Sequence, residues 1–257
     1  MQQAVATNFK LVIEYDGTPF SGWQVQKERP TVQGALEKAL SCILNQPVKI
    51  NGSGRTDAGV HAMGQVASFT AHTAIPPEKL KKGLNAIING PVVIRKCAIV
   101  PPSFHARYDA LSKEYHYHIL NRPDPCAVKK NFLWHVKQPL DLDAMNQCCA
   151  LIQGLHDFKS FEASGSPRFH TRREVYSARF DAEDNEELIF RIEANGFLRF
   201  MVRNLVGTLV LAGQSRISPE EFGEILLAKN RNLAGATAPP QGLFLMQVNY
   251  DSAGPMA

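Results

Sequence analysis

Asp57 is a carboxylate set among glycines in the run Gly52-Ser53-Gly54-Arg55-Thr56-Asp57-Ala58-Gly59-Val60-His61-Ala62, beside Arg55 and between two apolar stretches. Glycine permits tight turns and the close approach of a ligand backbone, so an acid on such a loop can be presented to a reacting group. The spacing does not suit phosphate cradling. A Walker A loop needs Gly-Lys-Ser/Thr opening a helix, and a dinucleotide loop needs G-x-G-x-x-G opening a helix. Here the run leads into a strand pattern, with no helix N-terminus to hold an anion. On the loop alone two readings stand: a reactive acid, or a structural turn in which Asp57 hydrogen-bonds its own backbone. The chain has no G-x-S-x-G elbow, no H-E-x-x-H and no Cys–His signature. By elimination Asp57 is the candidate nucleophile or base.

Three further groups could serve chemistry. Arg203 stands inside the apolar run Phe197 to Leu211, with no Asp or Glu between Gly196 and Arg216. A buried guanidinium is costly without an acid partner, which Asp57 could supply; alternatively Arg203 snorkels to the surface along its stem. In Lys113 to Leu120 the alternation of a strand puts Tyr115, Tyr117 and Ile119 on one face and Glu114, His116 and His118 on the other. A tyrosine on a sheet face can stack on a nucleobase, or be an ordinary strand residue. The two histidines have no third ligand at metal spacing, and a solvated strand face is expected for them. Basic and aromatic residues mix in Lys159 to Arg173, which carries Arg168, Arg172 and Arg173 with Phe161 and Phe169; Lys27 and Arg29 form a second basic pair. Such loops suit RNA backbone and base contacts, or are simply solvated surface.

The elements that must position these groups are readable from periodicity. Strand patterns cover Phe9 to Tyr15, Val48 to Asn51, Gly64 to Ala71, Val92 to Ala98, Lys113 to Leu120, Arg173 to Phe180, Leu188 to Ala194 and Gly242 to Tyr250. Helical patterns follow Thr31 to about Asn45, then Pro77 to Ile88, Leu142 to Ile152, Leu198 to Leu211 and the stretch capped by Ser218. Each half mixes strands with helices. The expected fold is α+β: two ferredoxin-like (RRM-like) halves, residues 1–106 with the Asp57 loop and 107–257 with Tyr115 and Arg203. They are expected to join around a central, mainly antiparallel sheet with an active-site cleft between them.

Composition narrows the class. With 257 residues, 44% hydrophobic and 20% charged, the chain has material for a sizeable core. No apolar run reaches the roughly 18 residues of a membrane span, and the first residues lack the pattern of a secretory signal. Five cysteines, odd in number and without a C-x-x-C pair, argue against a disulfide framework or zinc site and for a reducing cytosol. A net charge of +4 is compatible with a nucleic-acid partner if the basic residues cluster.

Taken together the motifs resemble the TruA family of tRNA pseudouridine synthases. Gly54 to Ala62 (GRTDAGVHA) is similar to that family's catalytic signature without gap or exchange. The resemblance extends through YDGTPFSGWQ (Tyr15 to Gln24), TVQGALEKAL (Thr31 to Leu40), FHARYDALSKEYHYHI (Phe104 to Ile119), HDFKSFEASG (His156 to Gly165), FLRFMVRNLVGTL (Phe197 to Leu209) and APPQGLFLMQVNY (Ala238 to Tyr250). It implies that Asp57 is the nucleophile that drives cleavage of a uridine N-glycosidic bond, that Tyr115 stacks on the flipped uracil, that Arg203 pairs with Asp57, and that Arg55 fills or guards the gap left by the extruded base. It implies a homodimer acting in the cytoplasm on the tRNA anticodon stem-loop (tRNA positions 38 to 40), with no redox cofactor and no catalytic metal. Lys27, Arg29, Arg168, Arg172 and Arg173 become candidate tRNA contacts. Two other classes compete with this reading: a tRNA-binding or RNA-chaperone protein without turnover, against which the intact Asp57, Tyr115 and Arg203 speak, and an aspartyl-phosphate enzyme, whose D-x-D strand motif is absent around Asp57.

Overall fold

The computed structural model describes residues 6–163 and 170–251. The chain packs as two compact units, one built from residues up to Leu111 together with those from Leu245 onward, the other from Ser112 to Phe244.

In the first unit, β1 (Ala6–Tyr15) buries Phe9, Leu11, Ile13 and Tyr15 on one face, as its alternation requires. Helix α1 (Val32–Leu44) begins where the Thr31 side chain accepts a hydrogen bond from Gly34 N and ends at Asn45 in a left-handed conformation. Strands β2 (Asn51–Gly52) and β3 (His61–His72) follow, then α2 (Pro77–Ile87) and β4 (Val92–Val100). The sheet order is β4-β1-β3 with β2 on β3, and all three pairings are antiparallel. This β-α-β-β-α-β succession is ferredoxin-like in element order. Phe9 lies opposite Phe69 and the rings stack at 5.1 Å. The strand expected over Val48 to Asn51 contracts to Asn51–Gly52. Val48 and Ile50 are buried, but their N–H groups donate to side chains of α1, at Ser41 Oγ (3.1 Å) and Glu37 Oε1 (3.1 Å), rather than to a sheet.

The second unit contains β5 (Ala110–Asn121), β6 (Trp134–Val136), α3 (Leu142–Leu151), β7 (Gly154–Asp157), β8 (Arg172–Glu183), β9 (Glu187–Ala194), α4 (Met201–Gly213) and α5 (Pro219–Ala228). Its strands run β5-β9-β8-β7, antiparallel throughout, with β6 parallel to β5. The last strand, β10 (Leu243–Tyr250), leaves this unit and continues beside β3 in the first. Apart from β6 and β10, each strand among the described residues pairs antiparallel within its unit, and the α+β class stands. Ser218 opens α5 with a full capping box to Glu221.

Three more expectations change. The apolar run from Leu198 does not start a helix there: Phe200 is left-handed (φ 62°), and α4 begins at Met201. Leu198 is buried from a turn, which apolar content cannot distinguish from a helix. His116 is buried rather than solvated, bonded to Glu114 Oε1 at 2.7 Å, while His118 bonds Glu187 Oε1 at 2.6 Å. Phe161 is fully buried against Phe222 (5.8 Å), so it belongs to the core and not to an RNA-facing loop. No helix among the described residues is long and apolar enough to cross a membrane.

Candidate active site

The Asp57 loop links β2 to β3 and is held at both ends. At its entry, Ser53 N donates to Val66 O (2.7 Å) and Gly54 O accepts from Gln65 Nε2 (3.1 Å). In its middle, Thr56 O accepts from Trp23 N (3.1 Å), and Thr56 Oγ1 lies 2.7 Å from the Tyr15 hydroxyl. At its exit, Val60 N donates to Asp57 O (3.2 Å) across a turn in which Gly59 has φ +76°. His61, 1% exposed, places Nδ1 3.1 Å from both Gly17 N and Asp16 Oδ1. Thr56 and Val60 are buried, Asp57 is half-buried and Arg55 is exposed. The loop therefore presents one carboxylate and one guanidinium from a fixed base. The segment Tyr15 to Gln24 is the wall it rests on. Gly22 has φ +96°, and a Cβ there would stand 2.8 Å from Thr56 O.

In the second unit, Tyr115 is 7% exposed, paired in register with Ile192 and held edge-on by Phe197 at 5.0 Å and 81°. Arg203 is half-buried, not sealed in the core. Its Nε donates to Ala238 O at 2.8 Å, its guanidinium lies 4.9 Å from the centre of the Phe200 ring, and its backbone carbonyl accepts from Ala238 N. The Tyr117 hydroxyl donates to Pro239 O (2.7 Å), so α4, β5 and the Ala238–Pro239 segment converge here. Burial pushes the Tyr117 phenol well above its ordinary range, against the opposing pull of the Arg203 charge.

The basic candidates are placed as follows. Lys27 and Arg29 are exposed on a tight turn, Gln26 bridging to Arg29 around Glu28 at φ 58°. Lys27 stands 3.9 Å from Glu28. Arg172 is exposed opposite Asp157 at the start of β8, and Arg173 Nη1 donates to the Arg172 carbonyl (2.6 Å). Arg168 lies outside the described residues. Sequence reasoning passed over Tyr15, Gly22, Gln65 and His61. Their signal was present in YDGTPFSGWQ and in Gln65, a polar residue sharing a strand face with Ala67 and Phe69.

A family model for tRNA pseudouridine synthase matches residues 11–109 and 148–251, which include Asp57 and its supports as well as α4. The chain belongs to the tRNA pseudouridine synthases. A relative named tRNA pseudouridine synthase A from Thermoanaerobacter sp. (strain X514) is 45% identical over 95% of this chain and 99% of its own. Proteins of the same name from Syntrophotalea carbinolica and Geobacter sp. (strain M21) are 44% and 42% identical, over 94% and 95% of this chain and 95% and 98% of their own. As a pseudouridine synthase the chain is an isomerase acting on uridine in tRNA.

Proposed function

We propose that Asp57 is the nucleophile with which this pseudouridine synthase isomerises uridines of the tRNA anticodon stem-loop. The observation that carries the reading is the loop itself: a half-exposed carboxylate beside an exposed arginine, on a backbone anchored at entry, middle and exit. In the reaction the bond between uracil N1 and ribose C1′ breaks, the ring turns, and C5 bonds to C1′. C5 loses its proton and N1 gains one, so the conversion is redox-neutral.

A uridine in a stem must leave the stack, at a cost of a few kcal/mol. Phosphate contacts offset that cost, and Lys27, Arg29, Arg172, Arg173 and Arg168 are the side chains proposed to make them. Arg55, exposed next to Asp57, is suited to occupy the vacated position. Tyr115, edge-locked by Phe197, is suited to stack on the flipped uracil with little loss of side-chain freedom. Arg203 is proposed as the cationic partner that keeps Asp57 ionised. We further propose a homodimer working in a reducing, cytoplasmic setting, in keeping with five free cysteines.

The test is incubation of wild type and Asp57→Ala with an unmodified tRNA transcript, followed by pseudouridine mapping. Product in the anticodon arm with wild type alone is expected. Product with Asp57→Ala refutes the nucleophile assignment, and tRNA binding without product from folded wild type favours a binding protein.

A further inference from the structure

We infer that Gln65, acting with Tyr15, is a positioning residue for the reaction: a buried clamp that sets where Asp57 stands against the reacting base. The inference rests on the nucleophile reading above and deepens it.

Gln65 is 0% exposed. In register it faces Ile13, and its neighbours two and four residues along the same strand are the buried Ala67 and Phe69. An apolar side chain would be the cheaper occupant, because burying an amide costs free energy unless its hydrogen bonds are replaced. Here they are. Oε1 accepts from Ser53 Oγ (2.7 Å) and from Val66 N (3.1 Å). Nε2 donates to Gly54 O (3.1 Å) and, at longer range, to the Tyr15 hydroxyl (3.5 Å). A backbone donor on one side and a backbone acceptor on the other fix which way round the amide sits. The Tyr15 hydroxyl, receiving from Gln65, shares a second hydrogen bond with Thr56 Oγ1 at 2.7 Å. Tyr15 is 3% exposed, and burial pushes its phenol up to about 12, so it keeps its proton at neutral pH.

One amide thus grips the loop at Ser53 and Gly54 directly, and at Thr56 through Tyr15. Arg55 and Asp57 lie in and next to that span. A group that only stabilised the strand would not need to contact the loop at all. The arrangement has the form of an outer support that fixes a reacting side chain through its backbone.

Two variants test it. Gln65→Glu keeps the shape but sets a carboxylate oxygen against the Gly54 carbonyl. Tyr15→Phe keeps the ring and removes the link to Thr56. Both are expected to lower kcat by roughly 10–100-fold while leaving KM and tRNA affinity within about threefold, since the support of a reacting group is lost and the phosphate contacts are kept. The Gln65→Glu loss should shrink as pH falls, because a protonated carboxyl can again donate to Gly54 O; wild type should show no such acid gain. Wild-type kcat in Tyr15→Phe, or activity that falls only in proportion to the unfolded fraction, overturns the inference. If Gln65→Glu does not fold, the Tyr15→Phe result decides. Asp57→Ala run in parallel separates the two claims: activity in that variant removes the nucleophile reading, whereas dependence on Asp57 without dependence on Gln65 or Tyr15 removes only the clamp.

Discussion

Replacing Gly22 by alanine should damage catalysis more than stability. Gly22 sits at φ +96°, and an alanine there costs about 1–2 kcal/mol in backbone strain. The added Cβ would also stand 2.8 Å from Thr56 O and 3.2 Å from Asp57 C and Ala58 N. All three atoms are backbone of the Asp57 loop, so no side chain can swing aside. An unstrained carbon-to-oxygen contact is about 3.3 Å or more, and the loop must therefore yield by about 0.5 Å. Misplacing a reacting group by about 1 Å costs on the order of 100-fold in rate, so about half that shift predicts a fall in kcat of about tenfold. The matched control is Gly90→Ala. Gly90 has φ +133° but nothing within 4 Å of the added Cβ. It bears strain without touching the loop. Both variants should lose roughly 2–8 °C in Tm. Only Gly22→Ala should lose turnover, read as release of tritium from tRNA labelled at uracil C5. Equal kcat in the two variants would refute the claim that Gly22 matters through the Asp57 loop.

Two further outcomes concern the second unit. Ser218→Ala removes one half of the α5 capping box, the acceptor for Glu221 N, and should cost about 1 kcal/mol of stability with kcat unchanged, measured by urea unfolding and turnover. Burial lowers the His116 pKa from the ordinary 6.5, outweighing the hydrogen bond to Glu114, with Arg191 adding to the lowering and His118 contributing in the same direction. Because the unfolded chain takes up that proton first, the His116 contribution is fully present above 6.5 and is lost as pH falls below it. Urea midpoints measured from about pH 7.5 to about pH 5.5 should fall toward the acid end, and His116→Gln should flatten that slope. An equally steep slope in the variant would refute the assignment.

Elements governed by local rules were legible in the chain. Thr31 caps α1, Asn45 ends it, and Ser218-Pro219 with Glu221 opens α5, because capping and turn chemistry act within a few residues of sequence. The alternation that separates Tyr115 and Tyr117 from His116 and His118 is equally local. Periodicity failed at two places. The backbone around Val48 and Ile50 is claimed by Ser41 and Glu37 of α1, and the Leu198 run turns at Phe200 before it coils. Neither event leaves a mark in a hydrophobic pattern.

The sequence by itself determined the family, through GRTDAGVHA and the motifs around it, and with the family the reaction. It marked Asp57 as the candidate acid, because no other motif in the chain competes for the role. Only the tertiary structure decided what supports that loop. Tyr15, Gly22 and Gln65 lie between 8 and 42 residues from Asp57 in the chain and meet its loop only through the fold. The structure likewise moved Phe161 into the core and buried His116 beside Glu114. Those are consequences of packing, which depends on residues remote in sequence and has no local signature.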